Sequence, residues 1–151
     1  MQLAAYLGLL ANSETQLADA FATVAAHHGD EPDIAETCKL LGSWSRDRRQ
    51  ALAPFVARYG ETAHDEPERL RMDLFHGPRT GGLGLLRDLH DLDLLATEVR
   101  LCWTVLQQAA RALHDKSLVA LCEEGGHGAD RQLAWLCTRI KAAAPQALVV
   151  A

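Results

Sequence analysis

From Leu3 to Val24 the apolar residues recur at alternating steps of four and three: Leu3, Leu7 and Leu10, then Leu17, Phe21 and Val24. That spacing puts them on one stripe of an α-helix, the seam of a helix bundle. A stripe of this kind cannot bury itself, so the helix has to pack against others like it. The repeat assigns one further position, between Leu10 and Leu17, and it holds Glu14. An acid on the core face of a helix needs a compensating partner.

Three more segments carry helical periodicity, and strand signals are weak because Leu and Ala dominate over β-branched and aromatic residues. The first helix is expected over about residues 2–28. His28 to Asp33 reads as a turn, with Gly29 suited to a helix end and Pro32 to the first turn of the next helix. The second helix is expected over about 32–59, with the seam Ile34, Cys38, Leu41, Ser45, Arg48, Leu52, Phe55 and Tyr59. Ser45 and Arg48 interrupt it in the middle. The third is expected over about 85–114. It carries one seam of Leu94, Glu98, Leu101 and Val105 and a second stripe of Leu89, Leu92, Ala96, Val99, Trp103, Leu106 and Leu113. The fourth is expected over about 116–144, stopped by Pro145, with the seam Val119, Glu123, Gly126, Asp130, Leu133, Cys137 and Ile140. Residues 60–84 form a connector with a short helix expected around Glu66 to Phe75. Antiparallel bundle neighbours are usually joined by roughly 2–8 residues, so this connector is long enough to travel the length of a helix. Helices two and three would then run parallel, in an up-down-down-up order. The expectation is an all-α four-helix bundle over residues 1–151 as a single domain.

The chain is 48% hydrophobic and 23% charged, which excludes a disordered or collagen-like polymer. Its net charge is −5 and it has no Lys/Arg run, so nucleic-acid binding lacks electrostatic support. The apolar stretches are broken well short of the ~20 residues of a membrane helix. The N-terminus lacks the positive region of a secretory signal and is read as the first helix. Cys38, Cys102, Cys122 and Cys137 form no CxxC pair and lie in apolar helical segments; small core residues in a reducing cytoplasm are favoured over zinc ligands or disulfides.

Leu10, Glu14, Leu17 and Phe21 share their spacing with Leu94, Glu98, Leu101 and Val105, as a duplicated helix pair would. With its helix lengths, long central connector and inward carboxylates, the chain resembles the ferritin-like superfamily. That resemblance implies one Glu on each of helices one and three and a Glu-x-x-His motif on each of helices two and four, together holding two metal ions, usually iron. Glu14 and Glu98 match the single carboxylates. Helix two has Ser45 and Arg48 at the motif positions. Helix four has His127 and Asp130, in reversed order, and Glu124 stands three residues before His127 but off the chosen seam.

Two arrangements of the centre fit these residues. In the favoured one, Arg48 sits among Glu14, Glu98 and Asp130 as a fixed internal cation, its planar guanidinium serving the carboxylates in place of metal. In the other, Glu14, Glu98, His127 and Asp130 hold one metal ion, a ligand set suited to iron, manganese or zinc, with Arg48 repelling it. The first implies no cofactor and the second iron or manganese.

His27, His28, His64, His76, His90 and His114 fall at helix ends or in the connector, where capping or exposure is the expected role. The glycines at 125, 126 and 128 weaken a helix by roughly 1 kcal/mol each. They suit a bend, a close approach by a neighbouring Trp, or a small pocket. Trp44, Trp103 and Trp135 are expected in the core or at an interface. No nucleophile elbow, Cys/His pair or dinucleotide fingerprint is present. The functional expectation is a cytoplasmic, non-enzymatic binding or interaction module, acting as a homodimer or with another protein through an apolar face of helix three. A metal-dependent oxidoreductase or iron-handling protein is the alternative. A carrier for a small apolar ligand would be marked by a pocket beside Gly125 to Gly128.

Overall fold

A computed structural model describes residues 2–60 and 73–150. Among them are four long helices and no strand: α1 (Leu3–His27), α2 (Pro32–Gly60), α3 (Gly81–Ala112) and α4 (Lys116–Pro145), followed by a π-helical turn at Gln146–Val150. Helix α3 begins four residues before the expected start, in the glycine-rich stretch after Thr80. Gly81 there takes a positive φ of 74°, a conformation that costs glycine little. The turn between α3 and α4 is as short as expected. Asp115 caps α4 by accepting a hydrogen bond from the Leu118 N–H at 3.1 Å. Residues 61–72 lie outside the described part, so the expected crossover and most of the short helix near Glu66 to Phe75 do too. Residues 73–80 have no regular structure.

α1 packs along α2 and α3, and α4 packs along α3; α2 and α4 meet at few points. Partners along each interface give the directions. Glu14 meets Arg48 while Phe21 meets Gly42, so α1 and α2 are antiparallel. Glu14 meets Trp103 while His28 meets Asp88, so α1 and α3 are antiparallel. Trp103 lies on Gly125 while Arg100 meets Asp130, so α3 and α4 are antiparallel as well. It follows that α2 and α3 point the same way.

The seam of α1 is buried throughout, Glu14 included. The central seam of α2 is buried as read, with Ser45 and Arg48 inside. Two seams are corrected. On α3, Leu94, Leu101 and Val105 are 49%, 56% and 47% exposed, and the buried stripe is the other one, from Leu89 and Leu92 through Ala96 and Val99 to Trp103 and Leu106. On α4, the bundle side is one residue earlier than expected: Leu118, Cys122, Gly125, Ala129, Gln132 and Leu136. One residue is about 100° of helix rotation. The cause is physical. α4 turns Gly125 to the core between Leu118 and Leu136, so that Trp103 fits against it. Val119, Leu133 and Ile140 pack half-buried at the flank, and the acids of the expected seam, Glu123 and Asp130, face solvent.

All four cysteines are free; Cys38, Cys102 and Cys122 are buried and Cys137 is exposed. Burial pushes each of the three inner thiols up to about 12. Since the thiolate is the reactive form, one thiol per folded chain is expected to react promptly with an aromatic disulfide reagent at neutral pH. Three more should react only in denaturant, and Cys137→Ser should abolish the prompt phase.

Candidate functional site

The site grows from Glu14. The seam of α1 carries it to the bundle centre, where its side chain is fully buried. From α2, the Arg48 guanidinium meets it bidentately, donating from Nε to Oε1 at 2.6 Å and from Nη2 to Oε2 at 3.0 Å. From α3, the Trp103 indole Nε1 donates to Oε1 at 2.9 Å. From α4, Gln132 turns its amide oxygen toward Arg48 and accepts from Nη2 at 2.7 Å. Its amide nitrogen donates to the Leu41 carbonyl and to Ser45 Oγ, both at 2.9 Å. Side chains from all four helices thus close one hydrogen-bonded network.

Burial pushes the Glu14 carboxyl up from the ordinary carboxylate range, and the Arg48 guanidinium, the Trp103 indole and the Ser45 hydroxyl pull it back. Such a pair adds little net stability over apolar packing, but each member depends on the other. Its bidentate geometry also fixes the register of α1 on α2. The network presents a counterion, a carboxylate, a hydroxyl, an indole and an amide, each engaged with another member.

The other sequence-derived candidates lie elsewhere. Glu98 is half-buried on the outer side of α3 and accepts from Cys102 Sγ at 3.6 Å. Nearby Tyr6 has its phenol pushed up to about 12 by burial first, then by Cys102 and Glu98. Asp130 is exposed and paired with Arg100 Nε at 2.7 Å. His127 is exposed on α4. Glu14, Glu98, His127 and Asp130 are therefore not brought together, and among the described residues no group of three or more His, Cys, Asp or Glu side chains is placed to hold a metal ion. Arg48 pairs with Glu14 as expected, but Glu98 and Asp130 are not among its partners.

Trp103 and Gln132 are site residues outside the sequence expectation. The signal for Trp103 is the glycine opposite it: a Cβ on Gly125 would stand 2.5 Å from its ring. Gln132 has no such marker until α4 is rotated by one residue. A second buried polar cluster joins the start of α3 to the end of α1. Asp88 is fully buried, meets His28 Nε2 at 2.8 Å and accepts from the Arg79 backbone N–H at 2.9 Å; Arg79 also bridges to Asp91 at 2.8 Å. This gives His28 a partner across the bundle beyond its role at a helix end. Comparison with protein-family models, with curated proteins and with solved structures finds no match to the chain.

Proposed function

We propose that the chain is a non-enzymatic interaction module: a ferritin-like bundle in which the Glu14–Arg48 ion pair takes the place of a metal centre. The observation that carries this reading is the bidentate seat of Arg48 on Glu14 at the middle of the bundle. A fixed cation there satisfies the buried carboxylate and repels a second cation. The parallel course of α2 and α3 supports the ferritin-like order, because only a connection running the length of the bundle joins parallel helices. No helix among the described residues is long and apolar enough to cross a membrane, and four free cysteines suit a reducing cytoplasm.

The outer stripe of α3 is the docking face in this reading, and its occupant is a second copy of the chain. Leu94, Leu101 and Val105 are about half exposed. With Glu98 they keep the four-three-four spacing of a helix seam, which an antiparallel copy of the same helix matches position for position. Elemental analysis of the purified protein, before and after incubation with ferrous iron, tests the centre. No stoichiometric metal is expected; near-stoichiometric iron or manganese would overturn the reading in favour of a metal-dependent oxidoreductase or iron-handling protein. Leu101→Glu is expected to turn a dimer into a monomer in sedimentation experiments with helicity unchanged. A wild-type monomer at all accessible concentrations would remove the second copy from the account.

A further inference from the structure

Where α2 and α4 diverge, a groove of about 550 Å³ opens, with Trp44, Arg48, Glu124, His127, Gly128 and Arg131 in its wall. Arg48 is the informative member. Its side chain is only 9% exposed, and its Nε and Nη2 are engaged with Glu14, Ser45 and Gln132. Its Nη1 has no hydrogen-bond partner among the described residues, yet it is not sealed from solvent. Nη1 lies on Gly128, where a Cβ would stand 2.8 Å from it. The missing side chain at position 128 therefore leaves the spare edge of a buried guanidinium open to the groove.

An unused donor on a buried cation at the edge of a groove is a seat for an oxyanion. Arg131 adds a second positive charge, its guanidinium held over the Trp44 ring at 4.4 Å. The same wall carries Asp47, Glu123 and Glu124. These acids disfavour a multiply charged phosphate and provide acceptors for an ammonium group. Trp44 supplies apolar surface for the remainder of a ligand.

We propose that the groove is a binding site for a small amino-carboxylate, with its carboxylate on Arg48 Nη1 and Arg131 and its ammonium group toward the acids. This goes beyond the interaction module but rests on the same Arg48–Glu14 pair. Metal retained by the purified protein would undo that shared premise without any titration, whereas Arg131→Gln reports on the groove alone.

The test is calorimetric titration of the full chain with L-phenylalanine, 3-phenylpropionate, phenethylamine and inorganic phosphate. L-Phenylalanine is expected to bind saturably and more tightly than the other three. Gly128→Ala places a methyl 2.8 Å from Nη1 and crowds that donor out of the groove. Arg131→Gln changes an exposed residue. Each is expected to weaken binding roughly tenfold or more, the loss that follows removal of a charge-assisted hydrogen bond, with the circular dichroism spectrum unchanged. Absence of saturable binding by either carboxylate, unaltered affinity in Gly128→Ala, or phosphate as the tightest probe would overturn the proposal. Equal affinity for 3-phenylpropionate would overturn the role given to the amino group.

Discussion

Arg48→Met is expected to lower the unfolding free energy by about 3–5 kcal/mol at neutral pH, the range seen when one partner of a buried ion pair is removed. The methionine fills much of the space, so the loss is electrostatic rather than a cavity effect. It leaves the Glu14 carboxylate at the bundle centre with only the Trp103 indole and Ser45 hydroxyl to support its charge, and it leaves the Gln132 amide oxygen without its donor. The loss should depend on pH with a definite sign. Burial raises the folded-state pKa of Glu14, and removing Arg48 takes away the strongest influence opposing that rise. A carboxyl whose pKa is raised on folding contributes stability that is present below its unfolded pKa and lost as pH rises through its folded value. The variant should therefore lie closest to wild type in acid and fall behind as pH rises. Urea titrations followed by circular dichroism across that range check both the size and the sign. A cost that is the same at all pH values would mean that Glu14 is not the group left exposed to the change.

Trp103→Ala is expected to cost about 3–5 kcal/mol, the usual range for truncating a fully buried aromatic residue. Trp103 is completely buried and performs two tasks that smaller variants separate. Its ring fills the space above Gly125, and its Nε1 holds Glu14 Oε1 at 2.9 Å. Trp103→Phe keeps most of the ring and loses the donor, so a smaller loss of about 1.5–3 kcal/mol is expected, as for a hydrogen bond to a charged group. From the opposite side, Gly125→Ala would press a methyl to 2.5 Å from the indole, with an overpacking cost of about 1–3 kcal/mol. Midpoints of chemical denaturation for the three variants give the ranking. Trp103→Phe as damaging as Trp103→Ala would shift the weight from packing to the hydrogen bond.

The parts of this architecture that the sequence discloses are those where hydropathy and burial coincide. On α1 every seam position is a large apolar residue except Glu14, so the helix face, the anomaly and the need for a cation could all be read in advance. Arg48 was identifiable because it is the one charged residue in the seam of α2, which Ser45 alone otherwise interrupts in the middle. On α3 two stripes compete: Leu94, Leu101 and Val105 look as buried as Leu92, Val99 and Leu106, and only packing against α1 and α4 decides between them. On α4 the core face runs through Leu118, Cys122, Gly125, Ala129, Gln132 and Leu136, and its Gly and Gln positions weaken the apolar signal that would have set the register. The glycine at 125 is set by Trp103 on another helix, which is long-range information. The same one-residue rotation hid Gln132 from the site and brought Asp130 into it. Asp130 instead pairs with Arg100 at the surface. His28 could be placed at the end of α1, but its partner Asp88 is distant in sequence.

The central claim is that Arg48 is present because Glu14 is, and a double-mutant cycle measures that dependence directly. The four proteins are wild type, Arg48→Met, Glu14→Gln and the double variant, each unfolded by urea at neutral pH. Glutamine at position 14 keeps an acceptor for the Trp103 indole and removes the buried charge. The account expects the double variant to recover most of the stability lost in Arg48→Met, with a coupling of about 2 kcal/mol or more between the two positions. Additive losses, with the double variant as unstable as the sum of the two single changes, would contradict it.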